Sequence, residues 1–137
     1  MASNYCILYA EDDLDDLAII SDAFAKYPKQ IEVVHAHNGV EALQVLETMS
    51  QQLRLPCLII LDINMPLMDG RQTLLKMRQD EKFREIPIVL FSTSKSDTDK
   101  KFADSMDVGF FTKPYSYAAL QKLVEELVQK CALEKIA

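Results

Sequence analysis

Glycine is scarce in this chain of 137 residues, and its scarcity excludes two classes of nucleotide-binding protein. The only glycines are Gly39, Gly70 and Gly109, which stand far apart in the sequence. A dinucleotide-binding fingerprint and a phosphate-binding P-loop both need closely spaced glycines, because the backbone has to approach the phosphate oxygens. Neither motif can therefore exist in this chain.

Basic charge, paired cysteines and long apolar runs are also lacking. The formal net charge of −6 provides no basic face for nucleic acid, so we expect no nucleic-acid partner. No apolar run approaches the about 20 residues that cross a membrane, and residues 1–4 lack a signal-peptide pattern, so we expect a cytoplasmic protein without membrane contact. Cys6, Cys57 and Cys131 form an odd set without paired spacing, which predicts reduced thiols.

The most informative stretch that is present runs from Leu58 to Gly70. Its four leading aliphatic residues predict a strand buried on both faces, because a half-exposed strand would alternate apolar and polar residues. Asp62 ends this run, and an ionised carboxylate in such a place is costly unless something pairs with it. Pro66 and Asp69-Gly70 predict a turn directly afterwards. We interpret Asp62 as the end of a central strand beside a ligand-binding crevice, with capping of the following helix as the alternative.

Strands and helices alternate along the whole sequence, which predicts a parallel, doubly wound α/β domain. The predicted strands cover residues 5–10, 31–35, 58–61, 88–91 and 109–112, and apolar residues at three- and four-residue spacing mark the helices between them. Asn38 and Glu41 have the spacing of a reciprocal helix cap, and Ser116 can cap the last helix. We expect a single domain over residues 1–137, with about five strands in the flavodoxin-like order 2-1-3-4-5, helices on both faces and no effector domain.

Polar side chains directly follow four of the predicted strands. They are Glu11, Asp12 and Asp13 after the first strand, Asp62 after the third, Ser92 and Thr93 after the fourth, and Lys113 after the fifth. Because the carboxyl ends of parallel strands meet at one edge of a sheet, we expect these groups to converge. For the first three acids, the alternative is that they only complement the dipole of the next helix, which explains Asp13 better than Glu11 or Asp12.

Several carboxylates at one edge favour a bound cation. Two ionised carboxylates about 4 Å apart repel each other by about 4 kcal/mol at an effective dielectric constant of about 20. Oxygen ligands without neighbouring His or Cys favour Mg²⁺. With such a cation in place, Asp62 can act as a nucleophile that forms an acyl phosphate, while a lysine and a hydroxyl bind the phosphoryl oxygens. His35 and His37 are a second candidate metal pair, but a solvated strand end is favoured because no further ligand lies nearby in sequence.

The chain resembles the receiver domain of response regulators in two-component signalling. The resemblance covers almost the whole sequence and is carried by Glu11-Asp12, by Asp62 with Met65-Pro66 and Asp69-Gly70, by Ser92, and by Lys113-Pro114. The form of the stretch after Asp62 and the hydroxyl run from Ser92 to Ser94 are most similar to stand-alone receivers, including those associated with bacterial phytochrome kinases.

The resemblance implies a phosphoacceptor signalling protein that catalyses only its own phosphotransfer and slow dephosphorylation. Asp62 would take the phosphoryl group from a sensor histidine kinase or a phosphotransfer protein. Mg²⁺ would be bound by Asp62, by Asp12 directly, by Glu11 mainly through water, and by the backbone carbonyl of Asn64. We favour Asp12 over Asp13 as the ligand because Asp13 suits the helix cap.

The resemblance also implies a set of switch residues. Lys113 would pair with the phosphoryl group, and its peptide bond to Pro114 would be cis. Ser92, which stands where the family more often has Thr, would bond the phosphoryl group, with Thr93 beside it. Phe110 would be the aromatic switch residue and, lacking a hydroxyl, would act by packing alone.

Two other functions fit parts of the pattern. A phosphatase of the haloacid-dehalogenase type also uses an Asp nucleophile and Mg²⁺, but it needs a second Asp two residues later, where this chain has Asn64. An interaction module without chemistry would not need the full set of Asp12, Asp62, Ser92 and Lys113.

The output of such a protein would pass by contact with a downstream partner that the sequence does not identify. In the family, the last strand and the two helices around it form the usual contact surface, and the protein would be a monomer or a phosphorylation-dependent homodimer. Phe110, Tyr115 and Tyr117 cluster in this part of the sequence, and ordinary packing explains them equally well.

Overall fold

Strands and helices alternate throughout the computed structural model, which describes residues 5–28, 30–93, 96–114 and 116–136, with side chains described as far as Cys131. The elements in order are β1 (Tyr5–Ala10), α1 (Leu14–Ala25), β2 (Ile31–Ala36), α2 (Gly39–Gln51), β3 (Leu58–Asp62), α3 (Gly70–Gln79), β4 (Ile88–Ser92), α4 (Asp97–Ser105), β5 (Gly109–Thr112) and α5 (Tyr117–Ile136). The strands form one parallel sheet in the order β2-β1-β3-β4-β5. The predicted fold class and strand order are confirmed.

The central strand β3 is buried along its whole length, as its unbroken aliphatic run predicts. Ile59 and Leu61 pack into an apolar cluster with residues of α2, α3 and α4. Leu58 and Ile60 point to the opposite face and pack with residues of α1 and α5. Helices therefore cover both faces of the sheet, and β3 delivers Asp62 to its carboxyl edge.

Side-chain caps begin the helices at the predicted residues. Asp13 Oδ1 accepts hydrogen bonds from two N–H groups in the first turn of α1, at 2.9 and 3.0 Å. Asn38 accepts from the Glu41 N–H at 2.8 Å, but the Glu41 carboxylate contacts Nδ1 of His37 at 3.1 Å. The Glu41 carboxylate thus contacts the His37 ring nitrogen in place of the expected reciprocal bond with the Asn38 N–H.

The last helix, α5, spans Tyr117–Ile136. The Ser116 hydroxyl accepts a hydrogen bond from the Ala119 N–H at 3.1 Å, which confirms the predicted cap. Within the described ranges, no helix has both the length and the apolar character that crossing a bilayer requires.

A disulfide joins Cys57 to Cys131, with their Cα atoms 4.9 Å apart. The prediction of three reduced thiols is therefore wrong for this pair, whereas Cys6 lies outside the bond. Cys57 directly precedes β3, and Cys131 lies on α5. Both cysteines pack with the apolar cluster on the face of the sheet that α1 and α5 cover. The two cysteines are 74 residues apart in the sequence, so only the packing of α5 brings them together.

Candidate functional site

The carboxyl ends of β1, β3 and β5 bring charged side chains together at one edge of the sheet. Carboxylate oxygens of Glu11, Asp12 and Asp62, hereafter the acidic cluster, all lie within 4.8 Å of one another. The Lys113 Nζ atom lies 2.7 Å from Glu11 Oε1 and 3.4 Å from Asp62 Oδ1. The structure thus brings together the predicted groups from three of the four strands, namely Glu11, Asp12, Asp62 and Lys113.

Strand register explains this convergence. Ala10 pairs with Leu61 across β1 and β3, so Glu11 and Asp62 follow at the same level. Ser92 pairs with Thr112 across β4 and β5, and the Ser92 carbonyl accepts a hydrogen bond from the Lys113 N–H at 2.8 Å. The lysine is thereby held one residue beyond the last strand, with its side chain directed to the acidic cluster.

Glu11 is fully buried and held by several partners. Its carboxylate accepts hydrogen bonds from the Tyr9 hydroxyl at 2.8 Å and from the Asp13 N–H at 3.3 Å. Burial and the charge of Glu11 raise the pKa of Tyr9, so the phenol stays protonated and donates. Tyr9 was not among the residues predicted from the sequence. Its position two residues before Glu11, on the same side of the chain, was the available signal.

Asp62 has an unusually high pKa for a carboxylic acid. Burial and the charge of the neighbouring Glu11 raise the pKa of Asp62 to about 7, although Lys113 acts in the opposite direction. Only 4% of the residue is exposed. Two buried carboxylates beside a single ammonium group leave the cluster short of positive charge, and hard oxygen ligands at this spacing suit a divalent cation.

The adjacent acids Asp12 and Asp13 have separate positions. Asp12 belongs to the acidic cluster and is exposed at its surface, whereas Asp13 caps α1. Asn64 is exposed in the loop after β3, and the use of its backbone carbonyl as a ligand stays a prediction. His35 contacts the backbone carbonyl oxygen of Glu11 through Nε2 at 2.9 Å, so it supports the main chain of the site.

The predicted hydroxyl and switch residues lie on β4 and β5 or in the segments that follow them. Ser92 is buried at the end of β4, and the exposed Thr93 lines a cavity of about 330 Å³ together with Lys113 and Pro114. Phe110 is half-buried and packs against the apolar cluster on the face of the sheet that α2, α3 and α4 cover. Tyr115 lies outside the described residues, and Tyr117 is exposed. The switch roles stay predictions.

The Lys113–Pro114 peptide bond is trans, since no cis peptide bond occurs in the described ranges. The prediction of a cis bond is therefore wrong for this structure. The trans isomer before proline is favoured by about 0.5–1 kcal/mol, and Lys113 reaches the carboxylates of the site with this backbone.

Asp16, in the first turn of α1, also contacts Lys113, although it was not among the residues predicted from the sequence. Its Oδ2 accepts a hydrogen bond from Lys113 Nζ at 2.8 Å. Burial would lower the pKa of Lys113, but its bonds to Asp16 and Glu11 and the nearby charge of Asp62 outweigh burial and raise that pKa. The available signal for Asp16 was its place in the first turn of the helix that begins directly after Asp12 and Asp13.

The first residue of α3 approaches the backbone of the site closely. A Cβ atom on Gly70 would lie 2.5 Å from the Asp62 carbonyl oxygen and 3.0 Å from the Ile63 Cα. The Gly70 N–H donates to the Ile63 carbonyl at 2.9 Å, so the helix start cannot shift without losing that bond. The loop between β3 and α3 therefore requires glycine at this position.

Gly70→Ala is expected to lower the free energy of unfolding by about 2–3 kcal/mol, even though alanine favours helices, because the new methyl group overlaps backbone atoms. Urea unfolding measures this change. Lys76→Ala, at an exposed position of the same helix, serves as the control and should shift stability by no more than about 0.5 kcal/mol. Equal stability of the two variants would contradict the close approach.

Comparison with known proteins identifies relatives that match most of the chain. The family model of the response regulator receiver domain matches residues 7–125. The probable methanogenesis regulatory protein FilR2 of Methanothrix harundinacea is 32% identical over 125 residues, which make up 90% of this chain and 81% of that protein.

Solved structures show the same likeness. The chain is similar to the phosphorylated cyanobacterial phytochrome response regulator RcpA, with a TM-score of 0.79, 28% identity and coverage of 91% of each chain. It is also similar to the Mn²⁺-bound form of the response regulator Rcp1, with a TM-score of 0.74, 25% identity and coverage of 89% of this chain and 90% of that one. The expected likeness to phytochrome-associated regulators is confirmed. The chain belongs to the response regulator receiver domain family.

Proposed function

We propose that Asp62 accepts a phosphoryl group from a phosphohistidine and that Mg²⁺ is the cation of the site. The donor is a histidine kinase or a phosphotransfer protein, as is general for receiver domains. The observation that carries the proposal is the close approach of Lys113 to the acidic cluster, with Lys113 Nζ 3.4 Å from Asp62 Oδ1.

Each residue of the site has a separate role in phosphoryl transfer. A carboxylate oxygen of Asp62 attacks phosphorus, the P–N bond of the donor breaks, and its electron pair stays on the ring nitrogen, which takes up a proton. Lys113 pairs with the phosphoryl oxygens that carry the charge, and the Ser92 hydroxyl bonds one of them. Glu11, held by Tyr9, keeps the lysine oriented.

A divalent cation fits the acidic cluster. Glu11, Asp12 and Asp62, with the backbone carbonyl of Asn64, would hold Mg²⁺. When bound, the ion neutralises the crowded carboxylates and the incoming phosphoryl oxygens. The Mn²⁺-bound form of the similar regulator Rcp1 supports a divalent cation in this chain, and Mg²⁺ is proposed because the ligands are all oxygen atoms.

The test is labelling by acetyl phosphate with and without Mg²⁺, read by intact mass and by mapping of the modified peptide. We expect the gain of one phosphoryl group on Asp62 only when Mg²⁺ is present. Labelling that is absent under all conditions would leave an interaction module without chemistry. Steady release of phosphate from many phosphate esters would indicate a phosphatase instead.

A further inference from the structure

Asp16 brings a fourth carboxylate to the site, and it differs from the acidic cluster in what it contacts. The converging oxygens belong to Glu11, Asp12 and Asp62, whereas Asp16 Oδ2 accepts a hydrogen bond from Lys113 Nζ at 2.8 Å. The Asp16 side chain is 32% exposed, while that of Lys113 is 8% exposed. Asp16 is therefore placed to act on the lysine from the solvent side.

The ammonium group of Lys113 already has an acceptor for each of its hydrogens. Its Nζ lies 2.7 Å from Glu11, 2.8 Å from Asp16 and 3.4 Å from Asp62. An ammonium group donates three hydrogen bonds, so a phosphoryl group on Asp62 takes over the hydrogen that faces Asp62 and gains a second bond to the ammonium group only by displacing Glu11 or Asp16.

Glu11 and Asp16 differ in how easily they can give up the lysine. Glu11 is fully buried and fixed by Tyr9, and a buried carboxylate that loses its ammonium partner is strongly destabilised. Asp16 is already in contact with solvent, so water can replace the lysine at a much lower cost. Asp16 is the partner that the phosphoryl group can displace.

We propose that Asp16 restrains Lys113: it holds the ammonium group toward α1 while Asp62 is unmodified and yields this group to the phosphoryl group once Asp62 is modified. This inference rests on the proposed function of Asp62. Because Asp16 and the phosphoryl group compete for the same ammonium, Asp16 lowers the affinity of the site for phosphoryl-like anions and slows basal labelling.

Asp16→Asn tests the proposal because it removes the charge and keeps the shape of the side chain. In the presence of Mg²⁺, the variant should bind beryllofluoride, a mimic of the phosphoryl group, about threefold to tenfold more tightly than the parent. Labelling by acetyl phosphate should accelerate in the same direction. Asp16→Glu, which retains the competing carboxylate, should remain closer to the parent than to Asp16→Asn.

Two controls separate competition for the lysine from a general loss of charge. Asp15→Asn removes the same charge from the same helical turn. Among the described residues Asp15 makes no ion pair, so this variant should change the affinity for beryllofluoride far less than Asp16→Asn does. In a Lys113→Met background, Asp16→Asn should no longer raise the affinity for beryllofluoride, since the shared ammonium is gone.

The outcomes distinguish this inference from the proposed function. A parent protein that neither binds beryllofluoride nor becomes labelled would refute phosphoryl acceptance by Asp62. If the parent does both, the Asp16 proposal is overturned by an unchanged affinity in Asp16→Asn, by an equal gain in Asp15→Asn, or by a gain that persists with Lys113→Met.

Discussion

Asp62→Asn is expected to abolish labelling by acetyl phosphate and, without divalent cations, to raise the free energy of unfolding at pH 8. Labelling is lost because an amide oxygen is a poor nucleophile and no carboxylate remains to form the acyl phosphate. The gain in stability arises because the charged carboxylate is buried beside Glu11, and asparagine of the same shape carries no charge. A phosphoacceptor site is therefore expected to weaken the fold that contains it.

The direction of the pH dependence follows from the raised pKa of Asp62. In the unfolded chain this carboxyl titrates near 3.8, and in the folded protein its pKa is about 7. Between these values the folded state holds a proton that the unfolded state has lost. The contribution of Asp62 to the free energy of unfolding therefore decreases as the pH rises through this window. At pH 5 only about a third of this window has been crossed, so the difference between the two proteins is smaller than at pH 8.

The expected gain at pH 8 is about 1–3 kcal/mol. A pKa shift of this size corresponds to an upper bound of roughly 4 kcal/mol, and the asparagine amide loses part of it because it cannot pair with Lys113 as a carboxylate does. Saturating Mg²⁺ should reverse the order, since a ligand that binds only the folded parent stabilises it by mass action.

Urea unfolding at pH 5 and pH 8, with a chelator and with Mg²⁺, measures all of these effects. Asp15→Asn, which removes an exposed acid, should follow the parent in each condition. A stability difference between parent and Asp62→Asn that is the same at both pH values would contradict the raised pKa. Unchanged labelling of Asp62→Asn would place the phosphoryl group elsewhere.

Reduction of the Cys57–Cys131 disulfide is expected to lower the free energy of unfolding by about 4 kcal/mol. The bond closes a loop of 74 residues in the unfolded chain, and the loss of that constraint makes the unfolded state more favourable. Labelling should change little, because Cys57 precedes β3 while Asp62 ends it, about 16 Å away along an extended strand.

Urea unfolding of the oxidised protein with and without reductant provides the measurement. A Cys57→Ala, Cys131→Ala double variant should match the reduced parent and lose its response to reductant. Cys6→Ala is the matched control, since Cys6 lies outside the disulfide, and this variant should keep the full response to reductant. Identical unfolding curves for the oxidised and the reduced parent would show that the bond does not stabilise the fold.

The sequence determined the sheet and the location of the site because both depend on local patterns. Four aliphatic residues before Asp62 require a strand buried on both faces, and polar groups that end successive parallel strands have to meet at one edge. The helix caps Asp13 and Asn38 were equally predictable, since a cap is a contact between near neighbours in the chain.

The tertiary structure alone decided which distant groups pair. The bond between Cys57 and Cys131 and the contact between Asp16 and Lys113 join residues 74 and 97 positions apart, and no periodic pattern encodes such pairs. The isomer of the Lys113–Pro114 bond belongs to the same class, because the two isomers differ little in intrinsic energy and the surroundings select one. Local sequence fixes which groups reach the edge of the sheet, whereas the packing of α1 and α5 against it determines which of them touch.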